Sequence, residues 1–197
     1  MSNDQGDFKT SLRRDLRNKR LALPESVRAG YDRVIQHHLL QLIKERAAHS
    51  IAAFWPFNGE PDVTPLFEPL QDAGCELVLP VVSSGDDHGM QFHAWQRDLE
   101  LVKNRYGIPE PSGTAIVAVQ DIDLLLMPLV GYDQRGNRLG MGGGYYDRHL
   151  AILREFPRPL RVGVAYSLQE IDTLDSNSWD IPLHGIVNEH GWYTFNQ

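Results

Sequence analysis

One segment joins a strand, a glycine-rich turn and a helix, and it constrains the fold more than any other part of the chain. The apolar run Leu124 to Met127 is typical of a buried strand, and a helix is predicted from near Tyr145. Four glycines crowd the turn before that helix: Gly140, Gly142, Gly143 and Gly144. Because glycine has no Cβ, main-chain N–H groups in such a turn can approach an anion closely, and the helix dipole adds positive potential. The segment therefore predicts an α/β unit with a phosphate-binding turn.

The same turn could be a tight connection without a ligand, since glycine serves any turn that needs a positive φ. It is not a Walker A loop, because no Gly-Lys-Ser/Thr sequence ends it, and Tyr145 stands where the dinucleotide fingerprint has its third glycine. Arg138 and Arg148 flank the turn and Asp147 follows it, which is more charge than a connection requires. We therefore favour phosphate binding, with Asp147 as a candidate ligand of a phosphate-bound metal ion.

Strand-like and helical patterns alternate along the chain, which predicts a single α/β domain with a mainly parallel sheet flanked by helices. The expected helices are 8–23, 25–46, a segment from Thr64 that ends before Gly74, and 145–155. The expected strands are 50–55, 76–82, 90–95, 121–127, 160–166 and 185–188. Ligands of such sheets bind beyond the carboxyl ends of the strands, so the loop carrying Glu60 and the glycine turn should lie together.

Composition narrows the class of protein. The 197 residues suit one domain with its own core, and a formal charge of −7 argues against general binding to nucleic acid or anionic membranes. The longest apolar stretch, Leu124 to Val130, is too short to span a bilayer, and the polar beginning has no signal-peptide pattern. Cys75 is the single cysteine, so no internal disulfide can form. We expect a cytoplasmic protein that is a monomer or a weak dimer.

Four basic residues share one side of the predicted first helix. At 100° per residue, an arc of roughly 80° contains Lys9, Arg13, Arg17 and Arg20. On spacing alone, a solvated helix face is the usual outcome for such charges. A phosphate clamp and an RNA-binding surface are the alternatives, and the net negative charge of the chain weakens the second.

The sequence from Gly131 to Asp147, GYDQRGNRLGMGGGYYD, closely resembles the signature of the 5-formyltetrahydrofolate cyclo-ligase family, also called methenyltetrahydrofolate synthetases. The opening Lys9-x-x-Leu12-Arg13 and the place of Glu60 are similar to that family as well, so the resemblance covers essentially the whole chain. It implies a fold like that of the ribose-phosphate isomerase and CoA-transferase superfamily. It also implies ATP- and Mg²⁺-dependent conversion of 5-formyltetrahydrofolate to 5,10-methenyltetrahydrofolate, by phosphorylation of the formyl oxygen and attack by N10, with release of ADP and phosphate.

The resemblance further implies which residues bind each ligand. ATP would contact Lys9, Thr10, Ser11, Leu12 and Arg13, and then Arg138, Leu139, Gly140, Met141, Gly142, Gly143, Gly144, Tyr145 and Tyr146. The folate would contact Trp55 and Glu60, together with Met141, Gly142, Gly143, Gly144 and Tyr145. Asp147 would bind Mg²⁺. No catalytic acid or base is implied, and the candidates for stabilising the transferred phosphate are Lys9, Arg13 and Arg138.

One position departs from the family pattern. Some members place a second magnesium-binding aspartate where this chain has His184. Magnesium prefers hard oxygen ligands, so a histidine is a poor substitute, and a partly buried histidine at a strand edge is the favoured interpretation. The second ligand therefore stays open between Asp180, the His184 region, and water with substrate phosphate.

A non-catalytic folate- or nucleotide-binding module on the same fold is the alternative to an enzyme. Retention of Lys9, Arg13, Arg138 and Asp147 favours the enzyme, because binding a pterin requires no phosphate clamp. For Glu60, the alternative to a folate contact is an ordinary solvated loop acid.

Overall fold

The computed structural model describes residues 2–83, 89–151, 158–177 and 179–195. Two long helices come first, α1 (Ser2–Leu21) and α2 (Glu25–Glu45), separated by Pro24, whose extended backbone precedes α2. Helix α2 buries an apolar stripe at helical spacing, formed by Ile35, Leu39, Leu42 and Ile43. Two short helices follow later in the chain, α3 (Phe67–Asp72) and α4 (Tyr145–Leu150).

The strands of the described residues are short, and most belong to one sheet. They are β1 (Ser50–Ala52), β2 (Glu76–Val82), β3 (Met90–Trp95), β4 (Leu101–Lys103), β5 (Pro109–Pro111), β6 (Ile116–Val117), β7 (Leu124–Pro128), β8 (Gly131–Tyr132), β9 (Arg138–Leu139), β10 (Leu160–Val164), β11 (Gly185–Asn188) and β12 (Gly191–Thr194). The large sheet has the order β12-β11-β10-β7-β1-β2-β3-β6, while β4–β5 and β8–β9 form two separate hairpins.

Parallel pairing holds the centre of the sheet and antiparallel pairing its edges. The strands β11, β10, β7, β1 and β2 pair in parallel, whereas β12, β3 and β6 are added antiparallel. Alternate residues of β7 enter opposite cores: Leu124 and Leu126 pack on the side of α2, and Leu125 and Met127 on the side of α4. Burial on both faces explains the continuous apolar run, and the expected α/β fold with a mainly parallel sheet is confirmed.

Several expected boundaries need correction. Helix α1 begins before Phe8, and the strand expected over 50–55 keeps its ladder only to Ala52. The helix expected from Thr64 begins as a 3-10 turn, Thr64–Leu66, and Oδ1 of Asp62 accepts the Thr64 N–H at 3.0 Å. Helix α4 begins at Tyr145 as expected, and the predicted positions 152–155 lie outside the described residues.

Adjacent parallel strands β1 and β7 place their following loops at the same edge of the sheet, because Ile51 pairs with Leu124. The loop carrying Glu60 follows β1, and the β8–β9 hairpin that leads into the glycine turn follows β7. Within the described segments, none of the helices has both the length and the apolarity that crossing a membrane requires.

Candidate active site

A cavity of about 340 Å³ opens between the loop after β1 and the glycine turn, residues 140–144. Trp55 and Glu60 line it from the first loop, while Arg138, several glycines of the turn and Asp147 line it from the second. Residues of β2, β3 and the β4–β5 hairpin complete the lining. A cavity of this size, mostly apolar with a few convergent polar groups, is typical of a small-molecule site.

The glycine turn requires glycine for two different reasons. The φ angles of Gly142 and Gly144 are +104° and +64°, a region that other residues rarely adopt. At Gly143 the constraint is a neighbour, since an added Cβ would lie 2.7 Å from Cε2 of Tyr145. Arg148 folds back from α4 and donates from Nη2 to the Gly143 carbonyl. The turn is thereby held close to α4.

Arg138 and Asp147 form an ion pair in the cavity wall, with 2.6 Å between Nη2 and Oδ1. Only 5% of the Arg138 side chain is exposed, compared with 28% for Asp147. Arg138 also donates to the Ile181 carbonyl, and the Ile181 N–H donates to Oδ1 of Asp147 at 3.2 Å. The segment before β11 therefore orients both side chains, and each charge of the pair compensates the other.

Glu60 is almost completely buried, with 7% of its surface exposed. Its Oε2 accepts the Phe57 N–H at 3.0 Å, and the Glu60 N–H donates to the Phe57 carbonyl at 3.2 Å. Burial raises the pKa of the Glu60 carboxyl to about 7, although the nearby Arg20 cation and the Phe57 N–H favour the anion. Glu60 is thus not a solvated loop acid, and its charge changes near neutral pH.

Tyr146 contributes a buried hydroxyl to the same cavity. This hydroxyl has no hydrogen-bond partner among the described residues. Burial raises the pKa of the phenol well above its usual value, with Glu60 acting in the same direction and Arg138 opposing it. A buried donor without a partner is rare in folded proteins, which makes the Tyr146 hydroxyl a candidate contact for a ligand in this cavity.

The β4–β5 hairpin supplies cavity residues that the sequence did not reveal. Tyr106 and Glu110 line the cavity, and the Tyr106 hydroxyl lies 2.9 Å from the Tyr145 hydroxyl. Arg105 donates from Nη2 to that same Tyr145 oxygen. These residues lie about forty positions before α4 in sequence, and no local pattern indicates that the hairpin folds over it.

The basic residues of α1 do not share one environment. Arg13 donates from Nε to the Gly140 carbonyl at 2.8 Å, which places its guanidinium beside the glycine turn. Arg20 is completely buried, and burial lowers its pKa despite the neighbouring Glu60 carboxylate. The interpretation of these four residues as one solvated face is therefore wrong for Arg20. Because Arg20 is buried, it cannot contribute to a continuous basic surface on α1, and this weakens the RNA-binding alternative.

The other residues predicted to contact ATP differ in how they are placed. Lys9 and Ser11 are half-buried and Thr10 is exposed, with the Thr10 hydroxyl donating to the Gly6 carbonyl at 2.8 Å. Leu12 and Leu139 pack in a small apolar cluster between α1 and the β8–β9 hairpin. Their side chains therefore contribute to packing between α1 and this hairpin.

His184 is held by the sheet. Its Nδ1 accepts the Arg161 N–H at 2.9 Å, and burial together with the Arg161 charge lowers the pKa of the imidazole to about 4. Asp180 lies next to Ile181, and its Oδ2 accepts the Asn177 N–H at 2.7 Å. In the part of the chain that the structure describes, no three His, Cys, Asp or Glu side chains form a metal-binding group.

The sequence comparisons all point to one family. Residues 5–189 match the profile of the 5-formyltetrahydrofolate cyclo-ligase family. The chain is 33% identical over 178 residues to the 5-formyltetrahydrofolate cyclo-ligase of Haemophilus influenzae, covering 89% of this chain and 95% of that protein. It is 39% identical over 142 residues to the enzyme of the same name from Escherichia coli K12, covering 71% and 78% of the two chains.

Solved structures agree with the sequence comparisons. The NMR structure of Aquifex aeolicus 5,10-methenyltetrahydrofolate synthetase superposes with a TM-score of 0.83 at 33% identity, covering 96% of this chain and 93% of the other. The 5,10-methenyltetrahydrofolate synthetase of Mycoplasma pneumoniae superposes with a TM-score of 0.74 at 29% identity, covering 92% and 98%. The likeness thus extends over more than nine tenths of this chain in both cases.

Proposed function

Because the chain belongs to the 5-formyltetrahydrofolate cyclo-ligase family, we propose that it cyclises 5-formyltetrahydrofolate to 5,10-methenyltetrahydrofolate and consumes ATP in doing so. The observation that carries this proposal is the shared cavity. One wall offers a buried carboxyl at Glu60 beside Trp55, and the other offers Arg138, Asp147 and the glycine turn. A pterin and a triphosphate could therefore meet within one cavity.

The cavity wall formed by Trp55 and Glu60, here called the folate wall, suits the donor edge of a pterin. The ring N–H and the exocyclic amine of a pterin form a paired donor edge, which a carboxylate can accept through two oxygens. Glu60 presents such a group in a nearly water-free position, where hydrogen bonds are stronger than in water. Trp55 supplies apolar surface for the ring beside it.

The chemistry explains why ATP is needed. A formamide oxygen is a poor leaving group, so N10 cannot expel it directly. In the proposed route the formyl oxygen attacks the γ-phosphorus and ADP departs. N10 then attacks the formyl carbon and loses its proton, and the C–O bond breaks to release phosphate and leave the cyclic methenyl cation.

The residues of this chain would act mainly by positioning and by charge. Arg13 and Arg138 stand beside the glycine turn, where each can compensate negative charge on the phosphates as the phosphoryl group moves. Lys9 lies one turn before Arg13 on the same helix face. Such alignment of the γ-phosphate with the formyl oxygen supplies much of the rate enhancement in reactions of this kind.

The donor set also fits Mg²⁺. Magnesium is usually bound by one or two carboxylates together with phosphate oxygens and water, and Asp147 provides one carboxylate next to the proposed phosphate site. Asp180 is the candidate for a second, while the neutral His184 imidazole is engaged with the Arg161 backbone. Bound there, Mg²⁺ would neutralise charge on the phosphates.

An absorbance assay for methenyltetrahydrofolate tests the proposal directly. Product should appear only when 5-formyltetrahydrofolate, ATP and Mg²⁺ are all present, and should stop when Mg²⁺ is chelated. Binding of both ligands without turnover would contradict the proposal and favour the non-catalytic module. Steep salt-dependent binding of RNA, lost in Arg13→Ala and Arg17→Ala, would instead favour the RNA-binding interpretation.

A further inference from the structure

Helix α1 touches both walls of the cavity through two arginines on one face. Arg13 and Arg20 are seven residues apart, which is about two turns, so their side chains leave the helix in nearly the same direction. Arg13 donates to the Gly140 carbonyl of the glycine turn at 2.8 Å. Arg20 donates to the Asn58 carbonyl from Nε at 3.1 Å and from Nη2 at 2.8 Å. The wall formed by Arg138, Asp147 and the glycine turn is here called the nucleotide wall. One rigid helix thus connects the nucleotide wall with the folate wall.

The Asn58 carbonyl belongs to the turn that places Glu60. Asn58 and Gly59 both have positive φ, +51° and +74°, and the Glu60 N–H donates to the Phe57 carbonyl. This combination is the pattern of a type I′ turn, for which Asn-Gly is a favoured pair. The turn also packs directly on α1, since a Cβ at Gly59 would lie 3.1 Å from Cδ2 of Leu21. Any shift of α1 would therefore move the turn and Glu60 with it.

A second set of contacts ties the same helix to the segment leading into the glycine turn. Nη1 of Arg20 donates to the Leu129 carbonyl just after β7, at 3.1 Å. Leu16 packs in the small apolar cluster with Val130 and Leu139, and a Cβ at Gly131 would lie 2.7 Å from Cδ1 of Leu16. The Arg20 guanidinium therefore bridges the two loops.

We propose that Arg20 is a positioning residue that couples the nucleotide wall to the folate wall, so that a nucleotide bound at the glycine turn tightens folate binding. This inference rests on the proposed function. A nucleotide that engages Arg13 and the glycine turn would favour the docked position of α1, and the docked helix holds the Asn58–Gly59 turn through Arg20. Coupling between two ligands is reciprocal, so folate should tighten nucleotide binding by the same factor.

The forked guanidinium is essential to this role. Its planar donors reach three hydrogen bonds to two carbonyls from different loops, and a lysine ammonium on a flexible stem cannot reproduce that geometry. A residue that only filled space could be replaced without changing how one ligand affects the other. The coupling factor therefore separates positioning from simple packing.

The test measures each ligand alone and in the presence of the other, by calorimetry with 5-formyltetrahydrofolate and a non-hydrolysable ATP analogue plus Mg²⁺. The variants are Arg20→Lys, Arg20→Met and Gly59→Ala, with Lys19→Met as the matched control, because Lys19 is exposed on the same helix. Gly59→Ala disturbs the contact between the Asn58–Gly59 turn and α1 from the loop side, without leaving a buried carbonyl unpaired. Thermal unfolding of each variant shows which of them are folded. If the Arg20 variants are not folded, the coupling factor measured in Gly59→Ala tests the inference.

We expect the analogue to tighten folate binding at least about fivefold in the unmodified protein and in Lys19→Met, the lower end of usual coupling factors. In Arg20→Met and Gly59→Ala the factor should fall to about one, with Arg20→Lys between them. Coupling that survives in the folded variants, or that is absent from a protein which turns over substrate, would overturn the inference and leave the proposed function standing. An unmodified protein that binds neither ligand would overturn both.

Discussion

The substitution Glu60→Gln should make the protein more stable at alkaline pH while weakening its binding of folate. Burial holds the pKa of the Glu60 carboxyl at about 7 rather than its ordinary value of 4.5. At about 1.4 kcal/mol per pH unit, that difference corresponds to about 3 kcal/mol of unfolding free energy once the group is ionised. The charged and titratable groups that interact with Glu60 are Arg20 of α1 and Tyr146 of α4.

The sign follows from proton binding. The folded protein binds the Glu60 proton more tightly than the unfolded chain, so the contribution to stability is fully present below about pH 4.5 and is lost as pH rises towards 7. Glutamine keeps an acceptor for the Phe57 N–H and never ionises. The two proteins should thus be about equally stable at pH 4, and Glu60→Gln should be more stable by about 1–3 kcal/mol at pH 8. The lower value takes into account that the substitution removes the carboxylate near the buried Arg20 cation, which costs stability.

Folate binding should show the opposite dependence on pH. The donor edge of a pterin prefers the carboxylate, so binding below pH 7 requires Glu60 to release its proton. Folate affinity of the unmodified protein should rise about tenfold per pH unit up to about pH 7 and then level off. In Glu60→Gln the affinity should be lower and nearly constant over this range, whereas nucleotide affinity should change little.

Urea unfolding at pH 4 and pH 8, together with calorimetric titration of 5-formyltetrahydrofolate, measures both effects. Glu68→Gln is the matched control, since the Glu68 side chain is 60% exposed and should show neither effect. If Glu60→Gln and the unmodified protein show the same change of unfolding free energy with pH, the argument from burial fails. Equal losses of folate and ATP affinity would contradict a direct contact between Glu60 and the pterin.

Three further substitutions test the opposite wall and its support. Gly143→Val should reduce kcat/KM in the methenyltetrahydrofolate assay about a hundredfold, because its side chain would collide with the Tyr145 ring, 2.7 Å from the Cβ position, and displace the turn. Asp147→Asn should raise the Mg²⁺ concentration for half-maximal rate about tenfold, since the amide loses the charge that attracts the ion. Asp133→Ala should lower the unfolding free energy in urea by about 3 kcal/mol, because the buried Asp133 carboxylate accepts the backbone N–H groups of Arg135, Asn137 and Leu174. Full activity of a folded Gly143→Val, an unchanged Mg²⁺ requirement, or an unchanged urea midpoint would contradict the respective prediction.

The centre of the sheet was predictable because its signal is local. Strand β7 is buried on both faces, so its four apolar residues from Leu124 to Met127 mark it in any reading of the sequence. The small strands β6, β8 and β9 have only two residues each and are defined by distant partners rather than by their own pattern. Periodicity cannot reveal elements of that length.

The candidate site was predictable to the extent that glycine and charge are unusual in sequence. The sequence predicts that the glycine turn and the loop of Glu60 lie together, and both line one cavity, but it does not reveal the nearly complete burial of Glu60, since loop acids are usually exposed. Helical spacing shows on which side of α1 Arg20 lies, but it does not show which other segments of the chain bury that side. The Asn58-Gly59 pair was the available signal for the tight turn that Arg20 holds.

If the proposed site binds folate, the burial of Glu60 and Arg20 serves ligand binding at a cost to the stability of the fold. Two apolar residues of similar volume would pack there without a desolvation penalty, and replacing buried charged groups in this way often stabilises proteins. The carboxyl instead has its pKa raised to about 7, and the arginine uses its donors on loop carbonyls. A water-poor acceptor in a fixed place gives strong and directional hydrogen bonds to a ligand. If Glu60→Gln is the more stable protein but binds folate poorly, this part of the core is shaped by ligand binding at the expense of stability.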